Sequence, residues 1–211
     1  RGTMKRPPTP VSDDVMRDVE GAVREHAPDV VGVTVRNTDD CYFSGGAFFL
    51  PEIREVVRAF KKLTDAPVVL GGVGFSVMPE AVMEFCEADY GIAGEGEVAF
   101  VELLNAIEMA NSDLSLVSGL LYHRDGTIHR NTARDVALDK LPRTRSLADN
   151  LQYFMAGGQA GFETKRGCDM KCIYCADPVS KGRHVRLRSP KLVVEELRTL
   201  LVQGVDHFHT C

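Results

Sequence analysis

The chain has 211 residues, 44% of them hydrophobic and 26% charged, with a net charge of −5. That balance is ordinary for a globular protein and excludes the basic surface expected of a nucleic-acid partner. No apolar run reaches the roughly 18 residues of a membrane helix, and residues 1–10 lack the apolar stretch of a signal peptide. Three of the six cysteines fall within eight residues. This argues for a metal or redox site in a reducing cytoplasm rather than a secreted disulfide framework.

Ser12 is placed to cap a helix running to about His26, with Val15, Met16, Val19 and Val23 on one face. Residues 30–35 are a continuous apolar run rich in β-branched residues, which suits a parallel strand covered on both faces. A loop over 36–50 leads to a helix opened by Pro51, with Ile53, Val56, Val57, Phe60 and Leu63 as its apolar stripe. A strand at 67–70, a loop at 71–76, a short helix at 79–87 and a strand at 89–93 follow. The turn at 94–97 opens a helix with Phe100, Leu103, Leu104 and Ile107 inward. This alternation predicts an α/β fold, a Rossmann-like doubly wound parallel sheet. Ligands of such sheets bind at the carboxyl ends of the strands, where the loops 34–40, 71–76 and 94–97 lie. Neither G-x-G-x-x-G nor a phosphate loop is present. Gly71-Gly72 is therefore either turn geometry or the backbone seat of a nucleotide-type ligand.

Asp125-Gly126 between two strand-like runs signals a hairpin near 117–131. His123 and His129 are expected to face each other there as exposed strand residues. We expect a first domain over 1–135, a linker over 136–155 and a second, incomplete domain over 156–211. In the latter, a strand at 162–165 precedes the cysteines. A basic loop and a helix capped by Ser189 with Pro190 follow, and a strand opens at His207. Strand, loop, helix and strand make the first βαβ unit of a parallel barrel, of which about 50 residues cover only the beginning.

Cys168, Cys172 and Cys175 are spaced C-x3-C-x2-C. Thiolates ligate iron–sulfur clusters, and a four-iron cube has one more site than three cysteines fill. Zinc is the alternative, with Cys211 or His184 completing four ligands.

The motif, with Tyr174 just before the last cysteine, resembles the radical S-adenosylmethionine (SAM) superfamily. Residues 164–168, 172–175, 186–190, 69–76 and 90–97 resemble its cobalamin-binding branch. The resemblance implies a partial (β/α) TIM barrel after the cobalamin domain. It also implies a [4Fe-4S] cluster on Cys168, Cys172 and Cys175, and SAM on the free iron with Tyr174 at its adenine. Cobalamin would lie among Thr34, Arg36, Asn37, Gly71, Gly72, Gly74, Phe75, Ser76, Gly94, Glu95 and Gly96. The Asp-x-His-x-x-Gly motif that supplies a histidine to cobalt is absent from the sequence; with a charged Arg36 at a strand's carboxyl end, Arg36, Asn37 or a neighbour is expected near the lower face. The implied activity is methyl transfer to an unactivated carbon of a small molecule, using methylcobalamin and a 5′-deoxyadenosyl radical. The alternatives are ring contraction or cyclisation without methyl transfer, and a non-catalytic cobalamin- or metal-binding module. A flavodoxin or ferredoxin is the expected electron donor. With the cofactors in separate domains, cluster and corrinoid are expected to load independently.

Overall fold

The computed structural model describes residues 14–40, 42, 44, 46–109, 113–142, 145 and 149–210. They fall into two compact units, Ser12–Val136 with Lys171–Gly182, and Ala137–Met170 with Arg183–Cys211.

The first unit contains α1 (Val15–His26), β1 (Val31–Thr34), α2 (Leu50–Leu63), β2 (Val68–Gly71), α3 (Val73–Val77), α4 (Pro79–Cys86), β3 (Tyr90–Ile92), α5 (Gly96–Glu108), β4 (Leu120–Arg124), β5 (Thr127–Arg130) and, from its later segment, α7 (Asp177–Ser180). The sheet order is β1-β2-β3-β4-β5. The first three strands are parallel, and the β4–β5 hairpin adds antiparallel against β3. Alternate residues of β2 feed different cores. Val68 and Leu70 join Val35, Phe75, Val82 and Met83, while Val69 joins Ile92, Ala99, Leu103 and Leu120. Both faces of the strand are therefore sealed, which is why its sequence lacks polar alternation.

Local chemistry accounts for the departures from expectation. The Asp14 carboxylate, accepting from the Arg17 amide, caps α1; Ser12 lies outside the described residues. The loop expected at 71–76 contains the helix α3. In the hairpin His129 pairs with Tyr122 and His123 with Ile128. The two-residue Asp125-Gly126 turn sets that register, so the histidines are offset by one residue.

The second unit contains α6 (Asn150–Met155), β6 (Ala160–Phe162), β7 (Lys165–Arg166), β8 (Arg186–Leu187), α8 (Pro190–Val202) and β9 (Phe208–Thr210). β6 and β9 are parallel across α8, the expected βαβ unit. The strand before the cysteines begins at Ala160, earlier than the residues suggest. Lys165 and Arg166 instead pair antiparallel with β8, closing the base of the cysteine loop. Ser189 occupies the N-cap position of α8 without a side-chain cap bond; its amide donates to Asp139 Oδ1 at 2.9 Å.

A buried ion network braces β6. The Arg188 and Glu196 side chains are 0% and 2% exposed and meet at 2.7 Å. Arg145 binds the other oxygen of Glu196. Both arginines also donate to backbone carbonyls, Arg145 to Gly161 at 2.5 Å and Arg188 to Glu163 at 2.6 Å. Gly161 lies in β6 and Glu163 just beyond its end, so the pair ties down both the strand and the chain leaving it.

Candidate functional site

Three loops meet at the carboxyl ends of β1, β2 and β3. The Val35 amide donates to Gly71 O at 2.8 Å, and the Val35 carbonyl accepts from the Gly74 amide at 2.9 Å. This nesting needs glycine. Gly72 has φ +99°, and a Cβ there would sit 2.6 Å from Val35 O; one on Gly74 would sit 2.9 Å from Arg36 O. The Ser76 hydroxyl donates to Gly72 O at 2.8 Å and accepts from the Gly94 amide at 2.9 Å, tying the second loop to the third. Phe75 is fully buried, its ring directly under Gly91. Glu95 accepts from the Val136 amide at 2.7 Å. Gly72, Gly74, Phe75, Ser76, Gly94 and Glu95 thus build the frame of the site.

What the frame leaves open is different. Thr34, Arg36 and Asn37 are exposed, and the side chains of Arg36 and Asn37 have no partner among the described residues. Gly96 has nothing within 4 Å of an added Cβ, and Gly71 only Ile92 O at 3.9 Å. Val73 is 43% exposed beside them. Sequence reasoning passed over Val73; an apolar residue between glycines just after a strand was the available signal. Asp40 closes the loop beyond Asn37. Its carboxylate accepts from the Ala47 amide at 2.8 Å and the Tyr42 amide at 3.1 Å, and these bonds, Ala47 first, hold its pKa below the ordinary value. Open backbone, free polar side chains and an exposed valine fit a large ligand with an apolar ring and amide arms, as a corrinoid is.

The cysteine loop is open in another sense. Cys168 is half-buried, Cys172 and Cys175 are exposed, and all three are free thiols. Residues 171–176 are all exposed, and the only described backbone bond between these cysteines runs from the Cys175 amide to Cys172 O at 3.2 Å. Tyr174 is 88% exposed and Ile173 fully so. Among the described residues no three His, Cys, Asp or Glu side chains form a metal-holding group. Three free thiols on one short loop fit the donor set of a cluster with three protein ligands. Cys86 is buried, and burial pushes its thiol pKa up. Cys41 and Cys211 lie outside the described residues.

An α/β sheet with a glycine-built loop junction, followed in the chain by a three-thiol loop and a parallel βαβ unit, is the combination expected of proteins that pair cobalamin with radical SAM chemistry. The comparisons agree. Residues 8–104 match the B12 binding domain family. The chain is 30% identical to tryptophan 2-C-methyltransferase of Streptomyces laurentii, over 94% of this chain and 41% of that protein. It superposes with TM-score 0.82 and 34% identity on the radical SAM methyltransferase TsrM of Kitasatospora setae, solved with cobalamin and a [4Fe-4S] cluster, over 94% of this chain and 40% of that one. OxsB, a cobalamin-dependent SAM radical enzyme, matches with TM-score 0.73 over 90% of this chain and 25% of OxsB; at 21% identity this shows the fold alone. Over 94% of its own length the chain is homologous to cobalamin-dependent radical SAM methyltransferases, and it spans about two fifths of their length. Among the described residues no helix is long and apolar enough to cross a membrane.

Proposed function

We propose that this chain forms the corrinoid-binding part and the cluster-binding start of a cobalamin-dependent radical SAM C-methyltransferase working in the cytoplasm on a small molecule. The observation that carries the reading is the joint presence, in one chain, of the glycine-built seat and the Cys168, Cys172 and Cys175 loop, along a match to a methyltransferase over 94% of its length. The three cysteines would hold a [4Fe-4S] cluster, with Tyr174 beside the adenine of SAM. Thr34, Arg36, Asn37, Val73 and the open backbone of Gly71 and Gly96 would hold cobalamin. A cluster held by Cys168, Cys172 and Cys175 would supply one-electron chemistry toward SAM, and a corrinoid held in the glycine-built seat would supply methyl-transfer chemistry. A flavodoxin or ferredoxin would deliver the electron.

The exposed, unpaired guanidinium of Arg36 lies at the carboxyl end of β1. It would occupy the lower side of the corrinoid and disfavour a sixth ligand to cobalt. Absence of histidine-nitrogen splitting in the EPR spectrum of the Co(II) form is the expected result; its presence sinks this assignment.

Anaerobic purification followed by iron, sulfide and corrinoid analysis tests the reading. About four irons per chain are expected, with corrinoid retained after desalting. Stoichiometric zinc without sulfide overturns it. Turnover of the full-length enzyme separates methyl transfer from rearrangement, because remethylating the corrinoid from SAM leaves S-adenosylhomocysteine. Deoxyadenosine without S-adenosylhomocysteine favours ring contraction or cyclisation.

A further inference from the structure

The segment Lys171–Gly182 carries Cys172 and Cys175 and yet belongs to the same compact unit as the five-stranded sheet. The helix α7 (Asp177–Ser180), two residues beyond Cys175, packs against α3. In a stretch whose residues 171–176 and 179 are exposed, Pro178 and Ser180 are buried. Gly182 lies near Asp135, whose Oδ1 is 4.0 Å from an added Cβ. The partner helix α3 is the one that opens at Gly72 and donates from Gly74 to Val35 O. The element closest in sequence to the third cysteine therefore rests on the helix that shapes the corrinoid seat.

We propose that Pro178 and Ser180 are positioning residues that couple the cysteine loop to the corrinoid seat, so that filling the thiols tightens corrinoid binding. This rests on the functional reading above, and it replaces the expectation of independent loading. The physical reason is conformational entropy. The loop over 171–176 has little packing, and holding α7 in place orders it at a cost. A group that gathers the thiols orders the loop first, so less freedom remains to be lost when α7 steadies α3 around a corrinoid. The coupling is reciprocal: bound corrinoid strengthens cluster retention by the same factor.

The test titrates hydroxocobalamin into the full chain by absorbance, anaerobically, before and after reconstitution with iron and sulfide. The reconstituted protein is expected to bind at least about fivefold tighter. In Ser180→Asp a carboxylate is forced into the α7 contact, and the two affinities converge while iron uptake persists. If Ser180→Asp fails to fold, judged by its circular dichroism, Pro178→Ala serves in its place and narrows the gap. Equal affinities in the wild type with and without iron overturn the coupling, as does a full difference retained in a folded Ser180→Asp protein. A wild type that takes up neither iron nor corrinoid overturns the functional reading, and the coupling with it.

Discussion

β2 and β6 are both short parallel strands that run into a loop placed for chemistry, and they are held by opposite means. Val68, Val69 and Leu70 of β2 are at most 3% exposed, between two apolar clusters. Among the described residues the buried cluster at β6 is Ala160, Leu200 and Val205, with Phe154 and Phe208 packed against it, and the strand is braced by two arginines that share Glu196. The first arrangement depends on shape and exclusion of water. The second depends on every charge keeping its partner, because desolvated ions are costly when left alone. Its surplus is positive, and Nε and Nη2 of Arg188 are buried without an acceptor. The seat proposed for a corrinoid is thus set in a frame of buried apolar packing, and the thiol loop springs from a base whose integrity is electrostatic.

Glu196→Ala is the strongest way to break this contrast. It strands Arg145 and Arg188, and a loss of about 3–5 kcal/mol is expected in the stability of the second unit. Urea unfolding followed by a probe in that unit measures it; a loss under about 1 kcal/mol would show that the network is not what holds β6. Ser76→Ala probes the other frame. It leaves the half-buried amide of Gly94 without its acceptor, and about 0.5–1.5 kcal/mol is expected to be lost. Thermal melts should show this loss with corrinoid bound or absent, since the bond belongs to the frame.

The smallest effect is expected from the surface cluster on α2 and α4. Arg58 and then Arg54 hold the Glu87 carboxylate, lowering its pKa from 4.5 to about 2. A carboxylate with a depressed pKa stabilises the fold above its ordinary titration range and loses that contribution as pH falls. Between pH 4.5 and about 2 the wild type should therefore weaken more steeply than Glu87→Gln. Because the pair is exposed, salt should shrink the difference. Parallel acid-unfolding curves for the two proteins would remove Glu87 from the account of stability.

Much of this was legible in the residues. The β-branched run in β1, the Asp-Gly hairpin and the C-x3-C-x2-C spacing each announce their structure through local rules of sterics, turn geometry and ligand chemistry. Phe75 and Ser76 are legible as following β2 at its carboxyl end, but not as a buried ring under Gly91 and a hydroxyl tied to the Gly94 amide. Those contacts depend on Gly91 and Gly94, which arrive from another strand. The helix α3 was read as a loop because its start depends on the Val35 carbonyl, more than 30 residues earlier.

By itself, the sequence determined the alternation of strands and helices in the first unit, the net negative charge and the set of three thiols, because these follow from composition and from neighbours a few residues apart. Tertiary structure alone decided that Arg145, Arg188 and Glu196 meet over β6, that Lys165 and Arg166 pair with β8, and that α7 rests on α3. Each of these joins residues distant along the chain, whose attraction has no local signature and acts only once packing has brought the partners together and excluded the water between them.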